Sequence, residues 1–300
     1  MDGIRDNRRF GVGDASAILA GVLWGVNYPV TKWVLQSIPE GQFLTLRFGA
    51  AAIVFGLLLT RQEAGYGKRM DVRALLALGI LGVGVYNVLF TMGLHRTSAS
   101  TAALIISTSP LITGVWCALT GRERLSGRRC AGTLLAFLGV LLVLASGGNG
   151  LSFDGGQFAG NVIIACAAFL FALYAVLARP LLALHSPVRV TSLVMIVGSV
   201  LLVPFGLQRT PPALWVRPSA QVLLALAYIV LVGTVAAFIL WYRGVRDIGP
   251  VGTVLYHFVT PTVSMVVAPL LLGDATGTGK IGGALLVLAG LLVARQSRAR

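Results

Sequence analysis

The chain has 300 residues, of which 56% are hydrophobic and 11% charged, and its mean hydropathy is +0.86. A soluble domain of this length cannot hide so much apolar surface behind so few charges, which excludes an ordinary globular protein. The net charge of +14 would suggest nucleic acid in a soluble protein. Here the basic residues have a membrane explanation, given below, and no nucleic-acid partner is implied.

Each membrane-spanning helix needs roughly 20 apolar residues. Ten such segments are predicted, at about 14–35, 41–60, 72–94, 98–119, 126–146, 156–178, 187–207, 219–243, 249–272 and 278–295. The expected fold is therefore an all-α integral membrane protein of ten transmembrane helices. The first apolar run is too long for a cleavable signal, and no small-residue cleavage site follows it.

The first segment carries Trp24, Asn27 and Tyr28 on one helical face, and Lys32 near its outer end. The second carries Arg47 about two turns in. Charged side chains inside a span face protein or water. One reading of Lys32 and Arg47 is attraction of a substrate carboxylate or organisation of a gate. The other is snorkelling to the headgroups or bonding to helix-end carbonyls. The third segment presents Tyr86, Asn87 and Phe90, and the fourth holds Pro110. Ser126 and Gly127 open the fifth after a basic loop, and Gly132 and Gly139 follow seven apart on one face. Small residues at that spacing predict close packing against another helix.

The Gly-rich stretch 147–156 divides the chain, and the design then starts again. Shifted by 151 positions, Gly82 falls on Gly233, Gly93 on Gly244, Pro110 on Pro261, Glu123 on Asp274, Gly132 on Gly283 and Gly139 on Gly290. The expected organisation is a first five-helix repeat over 14–146 and a second over 156–295, with cytoplasmic tails at 1–13 and 296–300. Five is odd, so the second repeat starts on the opposite side of the membrane and the two are inverted. In carriers so built, the substrate site lies near the midplane between the repeats. The sixth segment carries Phe171 and Tyr174, the eighth Phe238, Trp241 and Tyr242, and the ninth Tyr256, His257 and Pro261. The paired prolines predict matched bends in the fourth and ninth segments. His257 is read either as a proton-coupling or substrate contact, or as a neutral side chain bonded to a neighbouring helix.

With the N-terminus inside, about 18 of the 24 Lys and Arg fall on the inner side. They include Arg5, Arg8, Arg9, Arg61, Lys68, Arg69, Arg73, Arg122, Arg124, Arg128, Arg129, Arg295, Arg298 and Arg300. Both termini are then cytoplasmic. All ten acidic residues lie in loops or at helix ends, so a cation antiporter built on a buried carboxylate is disfavoured. Cys117, Cys130 and Cys166 read as apolar fillers, and no metal or cofactor is expected. No His-Glu-x-x-His or Gly-x-Ser-x-Gly motif supports an intramembrane enzyme.

The ordered segments LWGVNYPVTK (23–32), LTLRFGAAA (44–52), GLHRTSASTAALIISTSPLITGV (93–115), GRERLS (121–126), RRCAGTLLAFLGVLLV (128–143), VGTVAAFILWYRGV (232–245), VGTVLYHFVTPTVS (251–264) and LGDATGTGKIGGALLVLAGLLV (272–293) resemble the drug/metabolite transporter superfamily in its two-repeat EamA branch. The resemblance covers nearly the whole chain and is greatest to bacterial inner-membrane exporters of amino acids, including the aromatic type. It implies a cavity lined by the first, third, fourth, sixth, eighth and ninth helices, with the fifth and tenth packing the halves together at one side. Family members commonly carry Glu in the last loop of each repeat, where the second copy here has Asp274.

The function expected is export of amino acids, broad in range and favouring aromatic or apolar side chains, by a monomer that rocks around a midplane cavity. The candidate substrate-binding residues are Trp24, Asn27, Tyr28, Tyr86, Asn87, Phe90, Phe171, Tyr174, Phe238, Trp241, Tyr256 and His257, with Lys32 and Arg47 as charged or gating residues. Aromatic faces suit an apolar side chain, and Asn amides suit an ammonium and a carboxylate. The competing reading of the rings is anchorage at the membrane interfaces. Another metabolite or drug, such as a nucleotide sugar, would call for more basic residues in the cavity. A passive channel is the remaining alternative.

Overall fold

The computed structural model describes residues 10–61, 70–121, 126–146, 155–273 and 278–296. No strand occurs among them. The helices are α1 (Val12–Leu35), α2 (Glu40–Thr60), α3 (Val72–Arg96), α4 (Ala99–Ile106), α5 (Ser109–Leu119), α6 (Gly127–Ser146), α7 (Gly155–Leu184), α8 (Pro187–Arg209), α9 (Ala220–Ile248), α10 (Pro250–Leu272) and α11 (Thr278–Gln296). Arg5, Arg8, Arg9, Lys68, Arg69, Arg122, Glu123, Arg124, Asn149, Asp274, Arg298 and Arg300 lie outside the described residues, as do most of the two tails.

Helix starts follow local chemistry. The carboxylate of Asp71 accepts from the backbone N–H groups of Arg73 and Ala74 at 3.0 and 3.1 Å. Ser98, Ser186 and Ser219 accept in the same way from residues three further on, at 3.0, 3.2 and 3.3 Å. Each satisfies a donor that the first helical turn leaves without a partner.

Among the described residues, six helices are long and apolar enough to cross a membrane: Glu40–Thr60, Val72–Arg96, Gly156–Leu184, Pro187–Arg209, Ala220–Ile248 and Pro250–Leu272. The other four expected segments are helical but fall short of that measure. α1 includes Asp14, Asn27 and Lys32. The fourth segment is broken, and the fifth and tenth supply shorter apolar stretches, Cys130–Gly139 and Ile281–Ala294. Leu119 and Leu270, 151 positions apart, are 81% and 84% exposed, which suits contact with lipid and not with water.

The helical winding changes just before both paired prolines. The fourth segment breaks at Ser107–Thr108, just before Pro110. The hydroxyls of Ser107 and Thr108 turn back to donate to the Ala103 and Ile105 carbonyls at 2.7 and 2.8 Å. The same two carbonyls accept the backbone N–H groups of Ser107 and Thr108 at 3.1 and 3.0 Å, so the hydroxyls add second bonds at the end of α4. α10 tightens into a 3₁₀ turn over Tyr256–Phe258, just before Pro261. A second irregularity was not legible in the sequence. α3 widens into a π-helix over Leu78–Val85, and α9 does so over Ile229–Ala236. The two π segments are 151 positions apart.

The packing obeys the same shift. α1 packs on α9 and α10, while α7 packs on α3, α4 and α5. α2 pairs with α8, and α6 with α11. A Cβ placed on Gly132 would meet the Ala294 nitrogen at 2.3 Å, and one on Gly139 would meet the Gly283 carbonyl at 2.6 Å. The expected glycine faces therefore do meet, backbone against backbone.

Candidate functional site

Aromatic residues from α1, α3, α7, α9 and α10 pack into one cluster. The Trp24 ring lies 5.7 Å from Phe171, 5.1 Å from Phe238, 5.0 Å from Trp241 and 5.2 Å from His257, centroid to centroid. Tyr28 meets Phe90 edge-on at 5.0 Å, and Tyr86 stacks on Phe90 at 5.9 Å. Phe171 lies 4.6 Å from His257 and 5.2 Å from Trp241. These separations fall in the range where aromatic pairs attract beyond simple burial.

A cavity opens beside this cluster. Its wall is Trp24, Asn27 and Tyr28 of α1, Arg47 of α2, Tyr86, Asn87 and Phe90 of α3, Phe238 of α9 and His257 of α10. The space inside is about 20 Å³, room for a single water and far below that of a ligand pocket. This conformation is therefore constricted.

The π segment of α9 organises the wall. The Gly233 carbonyl accepts from the Trp24 indole N–H at 3.1 Å. A Cβ on Gly233 would sit 2.2 Å from Asn27 Oδ1, so only glycine lets that amide lie so close. The neighbouring Thr234 hydroxyl bonds Arg47 Nε at 3.1 Å. In the partner π segment, the Val83 carbonyl accepts from Asn87 Nδ2 at 2.8 Å, and Gly82 leaves room for the Tyr174 ring. Gly233 and Gly82 carry no side-chain chemistry that the sequence could single out, and their signal was their place as landmarks of the repeat.

Arg47 is only 3% exposed. Its guanidinium carbon lies 4.9 Å from the Phe48 ring centroid and 5.8 Å from that of Phe43, a cation–π arrangement. Its Nη1 has no hydrogen-bond partner, nor do Asn27 Oδ1, His257 Nδ1 and Trp241 Nε1. Buried polar atoms are normally satisfied. Three of these atoms, on Asn27, Arg47 and His257, belong to residues of the cavity wall.

The remaining candidates lie elsewhere. Phe171, Tyr174 and Trp241 are buried behind the wall, not in it. Tyr256 is turned away from the cavity, and its hydroxyl bonds the Asp14 carboxylate at the start of α1. Its neighbour His257 faces the cavity because adjacent positions on a tightly wound turn point apart. Lys32 Nζ donates to the Leu94 and His95 carbonyls at 2.8 and 3.0 Å. It caps the negative end of α3 and is not part of the cavity wall. Phe43 and Phe48 were not among the candidates, since nothing in a single sequence pairs them with Arg47.

The EamA-like transporter family model matches twice, over residues 11–145 and 158–296. The chain belongs to this family. It is a multi-pass membrane transporter of small molecules. It is 29% identical over 283 residues to the uncharacterized transporter YyaM of Bacillus subtilis (strain 168), covering 91% of this chain and 90% of that one. It is 25% identical over 287 residues to a probable amino-acid metabolite efflux pump of Salmonella typhimurium (strain LT2), covering 92% of each. A crystal structure of a protein 21% identical to this chain superposes with a TM-score of 0.74, over 94% of this chain and 96% of that one. At that identity the likeness concerns the fold alone.

Proposed function

We propose that this EamA-family chain exports amino acids across the bacterial inner membrane, with a preference for aromatic or apolar side chains. It does so as a monomer of ten transmembrane helices in two inverted five-helix repeats. Two observations support that architecture. The family model matches once on each side of residues 146–157. The π segments, the proline breaks and the helix pairings recur at the 151-residue shift. Alternating access then comes from rocking one half against the other around the cavity.

The observation that carries the substrate reading is the cavity wall itself. Rings of Trp24, Tyr28, Tyr86, Phe90 and Phe238 converge there with only a few polar groups. Such a wall suits a solute with one apolar body and a compact polar end. The relative named a probable amino-acid metabolite efflux pump agrees with it.

Counterflow of labelled L-phenylalanine in proteoliposomes tests the reading. Tyr86→Ala and Phe90→Ala are expected to cut uptake several-fold per folded molecule. Trp241→Ala is expected to cost abundance instead, because that ring is wholly buried behind the wall and large-to-small core changes cost about 3–5 kcal/mol. If Tyr86→Ala and Phe90→Ala both leave uptake unchanged, solute does not pass this cavity.

The topology has its own test. In a background lacking Cys117, Cys130 and Cys166, a cysteine at Asn149 is expected to react with an impermeant maleimide on intact spheroplasts. A cysteine at Ser126 is expected to react only after lysis. Labelling of the Asn149 site from the cytoplasmic side alone would reverse the inverted-repeat reading, in which both termini are cytoplasmic.

A further inference from the structure

The charge inside the cavity is unbalanced. Arg47 is buried in its wall and is the one Lys or Arg there. The described carboxylates are all engaged elsewhere. Asp14 holds the Tyr256 hydroxyl and the Gly11 backbone N–H. Glu40 holds His95, and Asp71 caps α3. Asp247 pairs with Arg243 and Arg246. None of the ion pairs among the described residues includes Arg47. What surrounds its guanidinium is neutral: the faces of Phe43 and Phe48, the Thr234 hydroxyl, and Tyr28 and Tyr86 within electrostatic reach. A buried cation without a counter-ion is costly, so such a group is kept where a ligand supplies the missing charge.

The orphaned atoms are of two kinds. Arg47 Nη1 is a donor that lacks an acceptor, and Asn27 Oδ1 is an acceptor that lacks a donor. They are neighbours by construction. Arg47 is bonded to Thr234, and Asn27 lies against Gly233, the residue before it. An α-amino acid carries both complements on one carbon, a carboxylate to accept from the donor and an ammonium to donate to the acceptor.

We propose that Arg47 is the carboxylate receptor of the cavity and Asn27 its ammonium acceptor, so that the site admits α-amino acids and rejects the corresponding amines and amides. The proposal rests on the reading that solute enters this cavity. Rejection comes from the same charge as binding. An amine or amino amide brings a positive charge to Arg47 and leaves the guanidinium without its anion.

The test uses purified full-length protein and intrinsic tryptophan fluorescence, since Trp24 lies in the wall. The probes share one ring and differ in charge: L-phenylalanine, L-phenylalaninamide, 3-phenylpropionate and 2-phenylethylamine. A hydrogen-bonded charge pair corresponds to a factor of roughly 10–100 in affinity. The wild type is expected to bind L-phenylalanine at least ~10-fold more tightly than its amide. It is also expected to bind 3-phenylpropionate and to ignore 2-phenylethylamine. Arg47→Lys keeps this order, and Arg47→Met erases it. Asn27→Leu weakens L-phenylalanine and leaves 3-phenylpropionate unchanged. Equal binding of amide and acid by the wild type overturns the proposal, as does retained discrimination in Arg47→Met. If Arg47→Met does not fold, the wild-type series and Arg47→Lys still decide. Binding of 3-phenylpropionate without counterflow of L-phenylalanine removes the transport reading and leaves the receptor assignment standing. Binding of neither carboxylate removes the receptor assignment.

Discussion

Gly132→Leu is expected to lower the amount of folded protein several-fold. The first added carbon already meets three backbone atoms of α11: the Ala294 nitrogen at 2.3 Å, the Gly290 carbonyl oxygen at 2.6 Å and the Ala294 Cα at 2.7 Å. Backbone cannot swing aside as a side-chain end can, so α6 and α11 must separate. In a membrane these helices are held by close packing and not by exclusion of water. Overpacking costs about 1–3 kcal/mol in ordinary cores, and losses of 1–2 kcal/mol change abundance several-fold. Gly290→Leu meets the Ala136 nitrogen at 2.3 Å and the Gly132 carbonyl at 2.5 Å, so it is expected to match. Gly56→Leu is the control, because nothing lies within 4 Å of a Cβ there. Monodisperse protein extracted in mild detergent is the measurement. Normal yield from both Gly132→Leu and Gly290→Leu would mean that the two helices do not meet along these glycines.

Features that recur in sequence were the legible ones. The glycine contacts of α6 with α11 and the breaks before Pro110 and Pro261 follow from residues that repeat 151 positions apart and have one strong physical effect each. The cavity wall was legible in part. Trp24, Asn27 and Tyr28 share a face of one regular helix, and Tyr86, Asn87 and Phe90 share a face of another, so simple periodicity groups them. Sequence adjacency is a poorer guide, since neighbouring residues on any helix point about 100–120° apart. Tyr256 reaches Asp14 while His257 lies in the cavity wall, although the two are adjacent. The π segments are composed of Val, Leu, Ile and Gly with a single Thr and a single Ala, and nothing in LGILGVGV or IVLVGTVA tells them from ordinary apolar helix. Depth behind a wall is also invisible in one chain. Phe171, Tyr174 and Trp241 carry the same residue types as the lining rings and differ only in what lies in front of them. The two readings of Lys32 and Arg47 separate for a similar reason. Lys32 reaches the end of α3, whereas Arg47 is buried and bonds Thr234 within α9.

Gly233→Ala is expected to reduce counterflow by about tenfold while abundance stays close to that of the wild type. The added methyl would lie 2.2 Å from Asn27 Oδ1 and 2.6 Å from its Cγ, so the amide must turn away. A side-chain amide can do so at small cost to the fold. The site cannot absorb the change as easily, since the same backbone turn accepts the Trp24 indole N–H and leads directly into Thr234, which holds Arg47. One methyl therefore disturbs the aromatic wall, the amide and the guanidinium together. Gly82→Ala is the counterpart in α3, and its expected outcome differs. Its methyl would meet the Tyr174 ring at 2.0 Å. That ring is itself 1% exposed and stacked on Tyr242 at 5.3 Å, so it has nowhere to go and the loss falls on abundance. A double variant isolates the cause at Gly233. If the methyl acts through the amide, Gly233→Ala combined with Asn27→Ala transports no worse than Asn27→Ala alone, because contacting residues are not additive. Additive losses in the double variant would mean that the methyl acts on the π segment itself, and normal counterflow in Gly233→Ala would remove Asn27 and the Gly233–Thr234 turn from the site.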